Sequence, residues 1–361
     1  MASKTKKDAS VRTQRYVWAG VGAWTLILYV VFFSPLFATH YSKADQEASS
    51  TPIAKLFAPA KPALNTVAYD KKLIQNANYA HSTTSSSTRL WPVKTAYPKA
   101  GALLPFNRII AYYGNFYSTK MGVLGEYPNA QMIAKLQAEK ARWEAADPTT
   151  PVIPAIDYIA ITAQGSPGKD GKYRFRMPDS EIDKAVAVAK QVNGIVILDI
   201  QVGLSPLRTE LPLLDKYLSM PQVHLALDPE FSMKGGDKPG SVIGTFDAAD
   251  INYAAEHLRN LVVTHDLPPK VLVVHRFTQN MVTNTKLIKP LPEVQIVMDM
   301  DGWGSPAKKL NTYQRFVAQQ PVQFTGFKLF YKNDLKPPST RMLTPAELLK
   351  LTPQPVFIQF Q

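Results

Sequence analysis

Two acids close the run VHLALDPEFSM, Val223 to Met233: Asp228 and Glu230 stand two residues apart at the end of an apolar segment. Side chains at i and i+2 of a strand point the same way, so the spacing predicts that both aim at one spot. Similar endings recur along the chain. LDIQV carries Asp199 and Gln201, VVHRF carries His275, and MDMDG carries Asp299 and Asp301. Apolar runs elsewhere carry Tyr113, Asp157, Lys328 and Gln359. One protonated and one ionised carboxyl group are the equipment for glycoside hydrolysis, in which the first protonates the leaving oxygen and the second acts as base or nucleophile. On this reading Glu230, last on its run, is the acid, Asp301 or Asp199 is its partner, and Asp228 orients or tunes Glu230. Tyr113, Asp157, Gln201, His275, Asp299, Lys328 and Gln359 would surround a substrate, with Tyr113, Tyr117, Trp303, Phe330 and Tyr331 offering flat faces to sugar rings.

The plain explanation for any one of these acids is a buried structural residue satisfied by loop amides. It does not extend to the whole set, because unpaired buried charges are expensive and neighbouring carboxylates repel one another. Convergence of six carboxyl groups, one His and one Lys calls for a ligand or catalytic site. The same residue types suit Mg²⁺, Mn²⁺, Ca²⁺ or zinc, so a metal-dependent hydrolase is an alternative, although there is no H-E-x-x-H motif. GSPGKDGK lacks a following Walker pattern and reads as a turn. No other cofactor is implied. With no cysteine in the chain, disulfides, thiolate metal sites and cysteine nucleophiles are excluded.

The elements that must position these residues are eight Val- and Ile-rich runs: 108–114, 152–161, 194–202, 222–230, 270–278, 294–302, 324–331 and 355–361. Amphipathic stretches at 129–146, 179–192 and 247–265 alternate with them, with Asp179 and Asp247 as N-cap candidates. The helical pattern is weakest between the fifth and sixth runs. Alternation of this kind implies βαβ units, and eight strands over about 250 residues match a (β/α)₈ TIM-type barrel; a doubly wound open sheet is the other candidate. Ala111, Ala155, Ala226 and Gly326 are small enough for a crowded interior and set the inward parity. Connections after strands are long and those before strands are short, which puts the irregular material on the C-terminal face, where barrels carry function.

The segments AYYGN, LDIQVG, LALDPEF, VVHRFT and MDMDGWG resemble those of glycoside-hydrolase-like (β/α)₈ barrels found in secreted and membrane-anchored bacterial proteins of unassigned activity. The resemblance covers roughly 106–361 and implies a carbohydrate-active barrel. Of the D-x-x-D-x-D-x-E run of chitinase-like barrels, only Asp228-x-Glu230 has a counterpart, which places the chitinase mechanism outside what the resemblance implies.

Before residue 106 the chain is different in kind. Residues 1–105 hold 13 Lys and Arg against 4 Asp and Glu, so most of the net charge of +13 lies there. Residues 16–38 are free of charge and long enough to cross a bilayer. The basic tail 1–15 is expected to stay in the cytoplasm, leaving the main domain periplasmic or extracellular in a single-pass cell-membrane protein. A cleaved signal peptide is the rival, with a shorter apolar core of roughly 7–15 residues. Residues 39–105 read as an extended linker arm, either a flexible tether or a segment wrapping a partner or the barrel itself. The expected partners are the bilayer, a carbohydrate and, in a third reading without catalysis, subunits of a membrane complex to which the barrel is an accessory. The nearly balanced main domain gives no sign of nucleic-acid binding.

Overall fold

The computed structural model describes residues 63–79 and 89–361. The expected transmembrane segment 16–38 and the basic tail lie outside them. Among the described residues no helix is long and apolar enough to cross a membrane.

Eight parallel strands close into a barrel. They are β1 (Arg108–Gly114), β2 (Val152–Ala163), β3 (Ile195–Ile200), β4 (Val223–Leu227), β5 (Lys270–Arg276), β6 (Val294–Met300), β7 (Phe324–Leu329) and β8 (Phe357–Phe360). Closure is made by β1, which pairs with β2 on one side and with β8 on the other, Ile109 against Phe357 and Tyr112 against Phe360. The open sheet is thereby excluded. A three-residue strand, Arg174–Arg176, adds antiparallel to the end of β2, and two loop segments, Phe246–Asp247 and Val282–Thr283, pair above the barrel.

Nearly every strand residue is buried, because each strand has a core on both sides. Outward side chains such as Ile110, Tyr112, Leu198 and Leu272 pack beneath the helices, while Ile109, Ala111, Ala155, Ile197, Ala226, Val273 and Val297 fill the barrel. The inward parity set by the small residues therefore holds. Helix α2 (Asn129–Ala146) occupies the expected span. Helix α4 (Ala248–Thr264) starts at the Asp247 N-cap, whose side chain accepts from Ala249 N while Asp250 closes the reciprocal bond. Asp179 is not a cap: Pro178 takes that position, Asp179 begins α3 (Asp179–Gln191), and its carboxylate meets Lys216 instead. Between β5 and β6 there is only a single turn, Thr285–Leu287. The helix α5 (Pro306–Tyr313) after β6 runs on into a π turn.

Of the two readings of the arm, the flexible tether and the segment wrapping the barrel, its described residues follow the second. They are folded onto the barrel and belong to the same compact unit. Helix α1 (Thr66–Ala77) is capped by Asn65 and ends at Asn78 in the left-handed conformation, whose Nδ2 donates to the carbonyls of Leu349 and Leu351. Tyr69 and Leu104 join the interior core at the end opposite the long loops. Gln295, an inward residue of β6, accepts from the amides of Leu103 and Leu104 and donates to the Leu104 carbonyl. Trp91 is buried and donates from Nε1 to Ala318 O at 2.8 Å. An amphipathic segment this short shows weak periodicity, which is why it reads as linker; its stability comes from packing rather than propensity.

If the arm is part of the core, Leu104→Ala, at a fully buried position, should cost about 2–5 kcal/mol in urea denaturation. Val67→Ala, on the exposed side of α1, should change stability by less than about 0.5 kcal/mol. Equal small effects would mean that the arm is not docked in solution.

Candidate active site

The C-terminal strand ends frame a cavity of about 480 Å³ whose lining includes Tyr113, Gln201, Asp228, Glu230, Asp301, Trp303 and Lys328. Below these lies a second layer, fully buried, of Asp157, Asp199, His275, Asp299 and Gln359. Every named acid is thus at this end of the barrel, on two levels. Asp199 stands in the lower layer and is not part of the cavity lining.

His275 organises the lower layer. Its Nε2 faces Asp199 Oδ2 at 3.0 Å, and its Nδ1 faces Asp299 Oδ2 at 3.2 Å and Asp301 Oδ2 at 3.5 Å. An imidazole that donates from both nitrogens is an imidazolium. Burial by itself would lower this group, but the bonds to Asp199 and Asp299 and the charge of Asp301 outweigh it and hold it well above its usual range. Strand register brings the partners together, because β5 and β6 pair His275 with Asp299. Gly326 on β7 is opposite Asp299. A methyl there would lie 2.5 Å from Asp299 Oδ1 and 2.9 Å from Phe357, so the missing side chain is what leaves room for the carboxylate.

Lys328 supplies the second cation. Its Nζ is 3.0 Å from Asp301 Oδ1 and 3.9 Å from the centre of the Tyr113 ring. The Tyr113 face that was expected to meet a sugar is therefore in contact with the ammonium. Gln201 Nε2 donates to Tyr113 Oη at 3.1 Å and to Asp228 Oδ2 at 3.3 Å, and Gln201 Oε1 accepts from Ala163 N.

The remaining acids are held up by their surroundings. Burial, reinforced by the charge of Asp199, pushes Asp157 up to about 8. The same two causes raise Asp228 well above the usual carboxylate range. Glu230 is pushed up to about 7 by burial and by Asp301. Asp299 is raised by burial against the lowering influence of His275. Asp157 Oδ2 accepts from Gln359 Nε2, and one oxygen each of Asp157, Asp199 and Asp299 has no hydrogen-bond partner.

Asp228 and Glu230 reach the cavity by a route other than strand alternation. Strand β4 ends at Leu227, and Pro229–Phe231 form a 3₁₀ turn capped by Asp228, whose Oδ1 accepts from Glu230 N at 3.2 Å. Pro229 has no N–H to continue the ladder. Tyr331 is not at the mouth. It lies on the opposite parity to Lys328, with its hydroxyl bonded to Tyr112 Oη and Glu139 and its ring stacked on Phe360. Tyr117 is exposed and outside the cavity lining. Among the described residues no group of three His, Asp or Glu side chains is arranged to hold a metal ion.

The site also depends on a pair that no sequence pattern marks. Lys309 on α5 and Asp334 form a buried ion pair at 2.8 Å. Asp334 accepts from the amides of Gly304 and Phe330, and Lys309 donates to Lys328 O. This pair ties the loop bearing Asp301 and Trp303 to the one following Lys328. A lysine within an ordinary amphipathic helix gives no sequence signal of such a role.

By sequence, neither a protein-family model nor a curated protein matches the chain. Solved structures similar to it include a cellulase at 13% identity and TM-score 0.35, covering 62% of this chain and 65% of its own length. A GH18 chitinase from Pseudoalteromonas aurantia is similar at 11% identity and TM-score 0.34 over 70% of this chain and 93% of that one. The Bacillus subtilis mannanase man26 is similar at 12% identity and TM-score 0.37 over 84% and 87%. The chain spans just under two thirds of the cellulase's length. The barrel assignment rests on the chain's own strand order.

Asp157 offers a test of the lower layer. A carboxyl group raised to about 8 keeps a proton in the folded state that the unfolded state has released. Its stabilising contribution is full below the unfolded value and is lost as pH rises through the folded one. Asp157→Asn stays neutral throughout and can still accept from Gln359. Its stability relative to wild type should therefore rise between about pH 5 and about pH 8 in urea titrations. A constant difference across that range would mean that Asp157 is already ionised in the folded protein.

Proposed function

We propose that this barrel acts on carbohydrate at its mouth, with Glu230 as the proton donor to a glycosidic oxygen. The observation that carries the reading is a carboxyl group raised to about 7 on the wall of an open cavity that also exposes Asp301 and Asp228. A general acid needs a value near the working pH so that it is protonated yet able to give its proton up. Burial and the neighbouring Asp301 provide that value, and the bond from Glu230 N to Asp228 fixes the turn carrying it. Asp301, paired with Lys328 at 3.0 Å, is the second carboxyl group of the reading. It would face the positive charge that develops on the sugar as the leaving group departs. Gln201 and Trp303 on the same wall supply a hydrogen-bonding group and an exposed ring for the substrate.

The uncharged run 16–38 behind a basic tail supports the further reading that the barrel is tethered to the cell membrane and works outside the cytoplasm. Removing residues 1–38 should then move the protein from the membrane pellet to the soluble fraction on cell lysis; a wild-type chain already in the soluble fraction would refute the tether.

Glu230→Gln should lower kcat on a polysaccharide that the wild type cleaves by roughly 10²- to 10⁴-fold, with the melting temperature and circular dichroism retained. Because the acid must be protonated, wild-type kcat/KM should fall as pH rises through about 7. Cleavage at the wild-type rate in Glu230→Gln would remove Glu230 from this role.

A further inference from the structure

The cations around the cavity are not all accounted for by its acids. Lys120, Lys308 and Lys328 line it together with Asp228, Glu230 and Asp301. Lys328 is matched by Asp301. Burial raises Asp228 well above the ordinary carboxylate range and Glu230 to about 7, which shifts both toward the protonated form, and neither is ion-paired to a lysine of the wall. In the layer below, His275 lies between Asp199 and Asp299, within reach of Asp301. Among the described residues, Lys120 and Lys308 have no ion-pair partner. Both are exposed. Lys308 Nζ lies 4.9 Å from the centre of the Trp303 ring, and Lys336 Nζ, likewise without an ion-pair partner among the described residues, lies 5.2 Å from it.

The upper cavity therefore presents unmatched positive charge around its most exposed aromatic ring. A neutral sugar would leave those ammonium groups with water alone and would have to share the Trp303 ring with two of them. An anionic sugar would give them a partner while its ring lies against the indole. We propose that the ligand is an anionic glycan, one bearing a carboxylate or sulfate group, whose charge is met by Lys120, Lys308 and Lys336 at the rim while its glycosidic bond lies toward Glu230. This rests on the carbohydrate reading of the site and gives the substrate its class. Steering by this rim would also raise the rate at which an anionic chain finds the cavity, an effect that weakens as salt rises.

The test uses the purified chain in affinity electrophoresis and calorimetry against polysaccharides matched in linkage and differing in charge: a β-1,4-glucan and its C6-oxidised polyglucuronate, a mannan and a polymannuronate, and a sulfated derivative of each neutral polymer. Polyglutamate serves as an anion without sugar. At least one anionic polymer should bind roughly tenfold or more tightly than its neutral counterpart, a difference of about 1.4 kcal/mol, and more tightly than polyglutamate. The Lys120→Ala/Lys308→Ala double variant should lose that margin and keep its melting temperature, since both side chains are exposed. The uronate and sulfated arms tell which anion is preferred. Equal or tighter binding of the neutral polymers would overturn the anionic assignment and leave the carbohydrate reading intact. Equal binding of polyglutamate, or an unchanged margin in the double variant, would likewise overturn it. Binding of no glycan in any arm would overturn both.

Discussion

The imidazole of His275 donates in two directions from the centre of the barrel, to Asp199 and to Asp299, and the rest of the mouth depends on that arrangement. Taking an ion out of water costs several kcal/mol. Two like charges at about 4 Å repel by on the order of 4 kcal/mol at an effective dielectric near 20. Six carboxyl groups gathered at one end of a closed cylinder would be prohibitive without compensation. The chain compensates with two cations, His275 and Lys328, and with a proton retained on Asp157, pushed up to about 8, while Asp228 is raised by the same causes. Each compensation needs close approach. The β5–β6 register supplies one, and the absence of a side chain at Gly326 supplies room for another.

The surrounding fold separates this polar layer from everything that would disturb it. Apolar side chains fill the barrel beneath it, and the segment around Tyr69 and Leu104 closes the opposite end. Above it, the loops carrying Trp303 and Phe330 are joined by the buried Lys309–Asp334 pair through backbone amides. A buried ion pair of this kind adds little net stability compared with apolar packing. What it supplies here is a fixed relation between the ends of β6 and β7, and so between Asp301 and Lys328. The turn at Pro229 does the same for Asp228 and Glu230.

Much of the barrel was legible because two signals are physical necessities. Strands buried on both faces must be apolar throughout, and a crowded interior must accept small residues, so Ala111, Ala155, Ala226 and Gly326 betrayed the inward parity. Stepping by two from them leads to Tyr113, Asp157 and Lys328, whereas on the strands without such a marker the polar residues Asp199, His275, Asp299 and Gln359 had themselves to indicate the inward side. Parity also assigns Tyr331 to the helix-facing side, where its partners Tyr112 and Phe360 are; attention to aromatic type over parity put it at the mouth. Where the strand stops, periodicity stops informing, and the turn at Pro229 replaces the alternation expected for Asp228 and Glu230. The arm was illegible for another reason. Tyr69, Trp91 and Leu104 lie in short apolar clusters without a sustained period, and only tertiary contacts distant in sequence, such as Gln295 and Ala318, give Trp91 and the Leu104 segment a place.

The two charge systems at the mouth differ in how they respond to a ligand. The two buried cations are committed internally: His275 and Lys328 already have carboxylate partners within 3.2 Å, so a ligand cannot recruit them without breaking those bonds. The rim lysines have no such commitment among the described residues. Negative charge arriving near Glu230 would disfavour loss of its proton still further, since a neighbouring like charge raises a carboxyl group. Lys120 and Lys308, by meeting that charge at the wall, would limit the rise. A general acid too firmly protonated transfers poorly, and one too readily ionised is not an acid at neutral pH. Cations at the rim and an acid near 7 below them are in this sense one electrostatic arrangement, in which the groups that hold the ligand also set the proton affinity of the residue that would act on it.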